Sequence, residues 1–183
     1  HSLDAPFSPK NLRLPTKRTI FIADKTGRSM KKALLILLAV CGLGLSLARA
    51  QNIILGEKVP ELKPAGWIDN RHPQPAPITY VEFFHSSNPA CITSLERLRD
   101  LSARSKPAMR VIVVTREDTA RIAPMLRPFL SRRITATIHA ERGFAAYGVT
   151  YVPFGVLIDA RNRALWMGNS LQLNEKIIEQ STR

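Results

Sequence analysis

Tyr80-Val81-Glu82-Phe83-Phe84-His85-Ser86-Ser87-Asn88-Pro89-Ala90-Cys91 decides how this chain folds. From Ile78 to Phe84, β-branched and aromatic residues form a short run between a proline-containing stretch and Ser86-Ser87-Asn88. That pattern predicts a buried strand. Asn88 followed by Pro89 predicts a helix start, because an Asn side chain satisfies free N–H groups and proline is preset for the first helical position. Beyond it, Cys91, Leu95, Leu98 and Ser102 recur at helical spacing, with Glu96, Arg97, Arg99 and Asp100 mostly on other faces. Cys91 is therefore expected in the first turn of an amphipathic helix, facing inward.

Downstream, Met109 to Thr115 is nearly continuous in β-branched residues, the pattern of an interior strand covered on both faces. Glu117 to Phe129 predicts a helix with a kink or break near Pro124. Ile134 to Ile138 is a third strand, and Phe144 to Tyr147 a short helical piece ended by Gly148. Phe154 to Ile158 and Ala164 to Met167 form a hairpin around Asp159-Ala160-Arg161-Asn162-Arg163, and Asn174 to Gln180 starts a terminal helix. Strands alternating with helices, then a hairpin and a closing helix, predict an α/β fold with a mixed sheet covered by helices.

Upstream, Met30-Lys31-Lys32, the apolar run Ala33 to Leu47 and Ala48-Arg49-Ala50 make up the basic start, apolar stretch and A-x-A site of a secretory signal. Cleavage there would leave Gln51 first. The apolar run is shorter than the ~20 residues that span a bilayer as a helix. A retained anchor is the second reading, and lipidation of Cys41 after Leu38-Ala39-Val40 a third; only these would attach the protein to a membrane. Residues 1–29 hold three prolines and six basic residues and read as an extension ahead of a start at Met30. The expected division is 1–29 extension, 30–50 signal, 51–77 an irregular Pro- and Gly-rich lead-in, and 78–183 the folded domain.

The whole chain carries a net charge of +13, but from Gln51 onward 18 Lys and Arg face 12 Asp and Glu, leaving +6. The basic residues are scattered, without a run or an aromatic-interleaved stripe, so nucleic acid is not an expected partner. Cys91 is the sole cysteine after Gln51, which excludes an intrachain disulfide there. About 130 residues suffice for one domain with a single core.

Four features in order resemble the TlpA-type, redoxin branch of the thioredoxin superfamily, exported bacterial thiol-disulfide proteins. Val81-Glu82-Phe83-Phe84 is similar to the strand that leads to the active site, and Cys91 matches the second cysteine of C-x-x-C. Tyr147-Gly148-Val149 with Val152-Pro153 resembles the segment ending in a cis-proline, and Phe154 to Gly168 the final hairpin. The resemblance implies a thioredoxin fold, helices on both faces of a mixed sheet, a place in the bacterial periplasm or envelope, and a role in cell redox homeostasis. It departs at one position. Asn88 stands where the attacking cysteine belongs, giving a degenerate N-P-A-C site without a dithiol cycle.

In that setting Cys91 is either an inert core residue or a single thiol that forms a mixed disulfide or sulfenic acid after local opening. By the resemblance, Glu82 matches a buried acid beneath the second cysteine and would accept its proton; the other reading turns it outward or pairs it with an arginine. His85 is a candidate neighbour of the helix start, or a polar loop residue. Asn88, Val152 and Pro153 outline a groove in which a partner's extended segment would pair with the main chain, unless Pro153 only shapes the turn. Two functions follow: single-thiol exchange through Cys91 with exported protein thiols, so that enzymatic activity is open, or a non-catalytic module holding an extended segment of another envelope protein. No cofactor is expected. A bound metal is not expected either, since His72 and His139 are distant in sequence from His85 and Cys91. A one-cysteine peroxidase would need Thr or Ser three residues before its cysteine and proline four before that, where this chain has Asn88 and Phe84.

Overall fold

A computed structural model describes residues 53–183 of the chain. The extension, the signal segment and Cys41 lie outside the described residues. The elements, in order, are β1 (Gly66–Trp67), β2 (Ile78–Phe84), α1 (Pro89–Arg104), β3 (Met109–Thr115), α2 (Thr119–Leu126), β4 (Ile134–Ile138), α3 (Glu141–Ala146), β5 (Phe154–Asp159), β6 (Ala164–Asn169) and α4 (Glu175–Ser181). They form one six-stranded sheet in the order β1-β4-β3-β2-β5-β6. β2 runs parallel to β3, and β3 to β4. The pairs β2–β5, β5–β6 and β1–β4 are antiparallel. The sheet is thus mixed, as expected.

Alternation along β2 assigns its residues to two cores. Ile78, Tyr80 and Phe84 pack with Leu95 and Leu98 of α1, Ile122 and Leu126 of α2, and Ile178 of α4. Val81 and Phe83 pack on the opposite side with Phe144 of α3, Tyr147, Val156 and Ile158. Phe83 is the aromatic hub there, with ring centroids 5.0 Å from Phe144 and 5.1 Å from Tyr147.

Three expected elements are redrawn, the short helix expected over Phe144 to Tyr147 running instead as Glu141–Ala146. The helix predicted over Glu117 to Phe129 is shorter: Asp118 caps it by accepting from the Arg121 N–H at 3.0 Å, and after Leu126 the chain tightens into a 3-10 turn, Arg127–Phe129. This frees Glu117 from the helix. The lead-in is also more ordered than its prolines suggest. Gly66–Trp67 adds a short edge strand to β4, and Gly56 N–H donates to Ala164 O at 2.7 Å while Ala164 N–H donates to Glu57 O at 2.9 Å. Its hydrogen-bond partners lie some hundred residues away, where local sequence carries no signal of them. Among the described residues no helix is long and apolar enough to cross a membrane.

Gly155 sits opposite Glu82 in the β2–β5 register, with the Tyr80 side chain lying over it. A Cβ at this position would meet Tyr80 Oη at 1.9 Å and Cζ at 2.2 Å. Both belong to the rigid phenol group of a fully buried residue, so neither can move cheaply. Gly155→Ala is expected to lower the unfolding free energy by about 1–3 kcal/mol, read by denaturant unfolding; wild-type stability in that variant would show that the core has room there.

Candidate functional site

The end of β2, the turn His85-Ser86-Ser87 and the start of α1 deliver the candidate residues to one edge of the sheet. Asn88 is the pivot. Its Oδ1 accepts from the Ala90 N–H at 3.0 Å, the helix-capping bond expected from sequence. Its Nδ2 donates to Val152 O at 2.7 Å, 64 residues away, in the segment that precedes β5. The Val152–Pro153 peptide is cis and Pro153 is buried. One amide side chain therefore ties the start of α1 to the proline loop, with each end of the amide fixed by a different partner.

Cys91 lies one turn into α1 and is fully buried, in the core that Val152 also packs against. Burial pushes its thiol up to about 11, with the nearby Glu82 and Glu117 carboxylates adding to the shift, while the His85 backbone N–H favours the thiolate. Imidazole does not supply that help: His85 Nδ1 accepts from Ser87 N–H at 3.2 Å and lies 2.8 Å from Ser87 Oγ.

Glu82 points into the α1 side of the sheet and is fully buried, rather than turned outward or paired with an arginine. Burial pushes its carboxyl up to about 8, against hydrogen bonding from Ser170 and the proximity of Ser94. Ser170 Oγ donates to Oε2, but Oε1 has no hydrogen-bond partner, nor do the neighbouring hydroxyls of Tyr80 and Ser94. At neutral pH Glu82 is therefore mostly the uncharged acid. Burial holds both groups towards their protonated forms, so moving the proton from sulfur to carboxylate is uphill while the site is closed. The resting site is closed and neutral.

Glu117 behaves in the opposite way. Burial pushes it up, but bonds from Ser86 N–H at 2.8 Å and Ser86 Oγ at 2.5 Å, with His85 and Arg121 nearby, hold it below the ordinary carboxylate range. An ionised carboxylate thus braces the turn before α1. Sequence reading missed Glu117, having placed it in a helix, and missed Ser170, which lies on a 3-10 turn after β6. Neither has a local sequence signal, because each acts on a strand or turn distant along the chain.

Beside Asn88 and Val152 runs an open groove of about 500 Å³, bordered by His85, Arg116, Phe144 and Tyr151. The Arg116 guanidinium stacks on the Phe144 ring with its carbon 4.1 Å from the centroid. Tyr151 is 49 % exposed and meets Phe154 edge-on at 5.4 Å.

No protein-family profile matches the chain. No curated protein matches it either. Solved structures do. A putative thiol:disulfide interchange protein DsbE from Chlorobium tepidum superposes with a TM-score of 0.59 at 17 % identity, over 72 % of this chain and 100 % of that one. A thiol-disulfide isomerase from Corynebacterium glutamicum gives 0.53 at 14 % identity, over 68 % and 93 %. The exposed lipoprotein thioredoxin of Streptococcus pneumoniae gives 0.52 at 14 % identity, over 65 % and 96 %. At such identities the likeness is one of architecture, and it agrees with the strand order and the helical layers: the chain has the thioredoxin fold.

Proposed function

We propose that this is an exported, envelope-located protein related to TlpA-type thiol-disulfide oxidoreductases, whose redox chemistry is confined to the single thiol of Cys91. The observation that carries the reading is the buried Glu82 carboxyl, displaced to about 8, on the same side of the sheet as Cys91. An acid fully buried with one carboxyl oxygen unpartnered among the described residues needs a task, and accepting a proton from the sulfur is one that its position fits. Export is supported by the signal pattern at Met30 to Ala50.

The chemistry balances without a second cysteine. Glu82, ionised as pH rises through about 8, takes the Cys91 proton. The thiolate attacks one sulfur of a partner's disulfide, that S–S bond breaks, and the electron pair leaves on the partner's other sulfur as a thiolate. The product is a mixed disulfide, reopened by attack of a partner thiol. Cys91 is fully buried and must be uncovered for this by a local opening of the site.

Three measurements test the reading. In the wild type, alkylation of Cys91 is expected to accelerate with an inflection near pH 8; Glu82→Leu should lose the inflection and slow the rate at pH 8 by at least about tenfold. A faster rate in Glu82→Leu would mean that the carboxylate acts only as a repelling charge. Asn88→Cys should form a disulfide with Cys91 under mild oxidation, since residues three apart at a helix start bring their sulfurs together; two thiols that stay free in a folded variant would overturn the motif's alignment. Finally, a carboxyl raised by folding favours the native state while protonated. Its contribution is whole below the ordinary value of 4.5 and is lost as pH rises towards about 8. Unfolding free energy should therefore fall across that window by up to about 1.4 kcal/mol per pH unit, and Glu82→Gln should flatten the slope.

A further inference from the structure

The groove beside Asn88 differs from an ordinary strand-adding edge in what it leaves open. An added partner strand pairs through main-chain N–H and C=O groups. Here the Val152 carbonyl already accepts from Asn88 Nδ2 at 2.7 Å. The Val152 N–H has no acceptor among the described residues. Next to it the Arg116 guanidinium rests on Phe144 and makes no ion pair or hydrogen bond with any described residue. No carboxylate lines the groove. Glu117, next in sequence to Arg116, is engaged instead by Ser86 and Arg121. The sixteen-residue helix α1 begins at the same edge and points its positive end there.

From this we infer that the groove is a docking surface for an acidic extended segment of a partner protein, with a carboxylate taken by Arg116 and a neighbouring apolar side chain laid on exposed Tyr151. Charge complementarity is the argument. A cation held in place by an aromatic face, without a counter-charge among the described residues and beside a helix N-terminus, attracts an acceptor-rich ligand, while the Val152 carbonyl keeps only one lone pair for main-chain pairing. This rests on the reading that partners approach at this edge. It does not require Cys91 to react with them.

The test uses the full-length protein carrying Cys91→Ser, so that thiol chemistry plays no part. The probe is a capped nine-residue peptide alternating valine and glutamate, beside a twin with glutamine in place of each glutamate. The glutamate peptide should bind at least tenfold more tightly, with the advantage shrinking as salt shortens the range of the charges. Arg116→Gln should abolish the preference and Arg116→Lys should keep most of it. Equal binding of the two peptides, no detectable binding of either, or a preference unchanged in Arg116→Gln overturns the inference. A dimer in solution that Arg116→Gln splits into monomers would also overturn it, since the occupant would be a second copy of this chain. Failure of the redox reading shows up separately, as a Cys91 that resists alkylation in the wild type while the peptide preference persists.

Discussion

β2 is buried along its whole length, and that constraint organises the molecule. A strand in the middle of a two-faced sheet has no solvent side on which to place a polar residue, so each of its seven positions answers to one of two cores. Six of them meet this with apolar contact or, at Thr79, with a hydroxyl that accepts from Arg110 Nε at 2.7 Å. Glu82 does not. Its carboxyl is driven towards the neutral form, Ser170 from beyond β6 is recruited to one oxygen, and Gly155 leaves the space above which Tyr80 lies. The acid's neighbourhood is thus assembled from β2, α1, β5 and the turn after β6. The cost of burying it is recovered only in part, as Oε1 remains without a partner.

The second organising contact is Asn88. In a two-cysteine site the position would carry a nucleophile exposed to partners. Here the amide caps α1 and holds Val152, making this edge a structural joint. The consequences run in one direction: the thiol behind it is covered, the proline loop is pinned, and what remains accessible is the rim formed by Arg116, His85 and Tyr151. Two carboxylates near the site are kept in opposite states by their surroundings, Glu82 mostly neutral in an apolar core and Glu117 ionised among donors.

Strand boundaries were legible because the signals are local. Ile78 to Phe84, Met109 to Thr115 and Ile134 to Ile138 coincide with β2, β3 and β4, since unbroken β-branched runs leave little choice of structure. Asn88-Pro89 marked the start of α1 for the same reason. The helix after β3 was drawn too long because Asp118, a residue later than the expected start, is the better cap, and the chain leaves α geometry soon after Pro124. The lead-in read as irregular because its order comes from pairing with β4 and with the β5–β6 turn.

The amino-acid sequence by itself determined the alternation of strands and helices, the inward placement of Cys91 and the absence of a second cysteine after Gln51, because each depends on residue type and short-range spacing. Only the tertiary structure decided that Glu82 is shut into the core, that Asn88 spends its amide on Val152, that Glu117 braces a turn and that Arg116 has no counter-charge among the described residues. Those outcomes turn on which distant groups meet across the sheet, and on how far water is excluded where they meet, neither of which any local stretch of residues encodes.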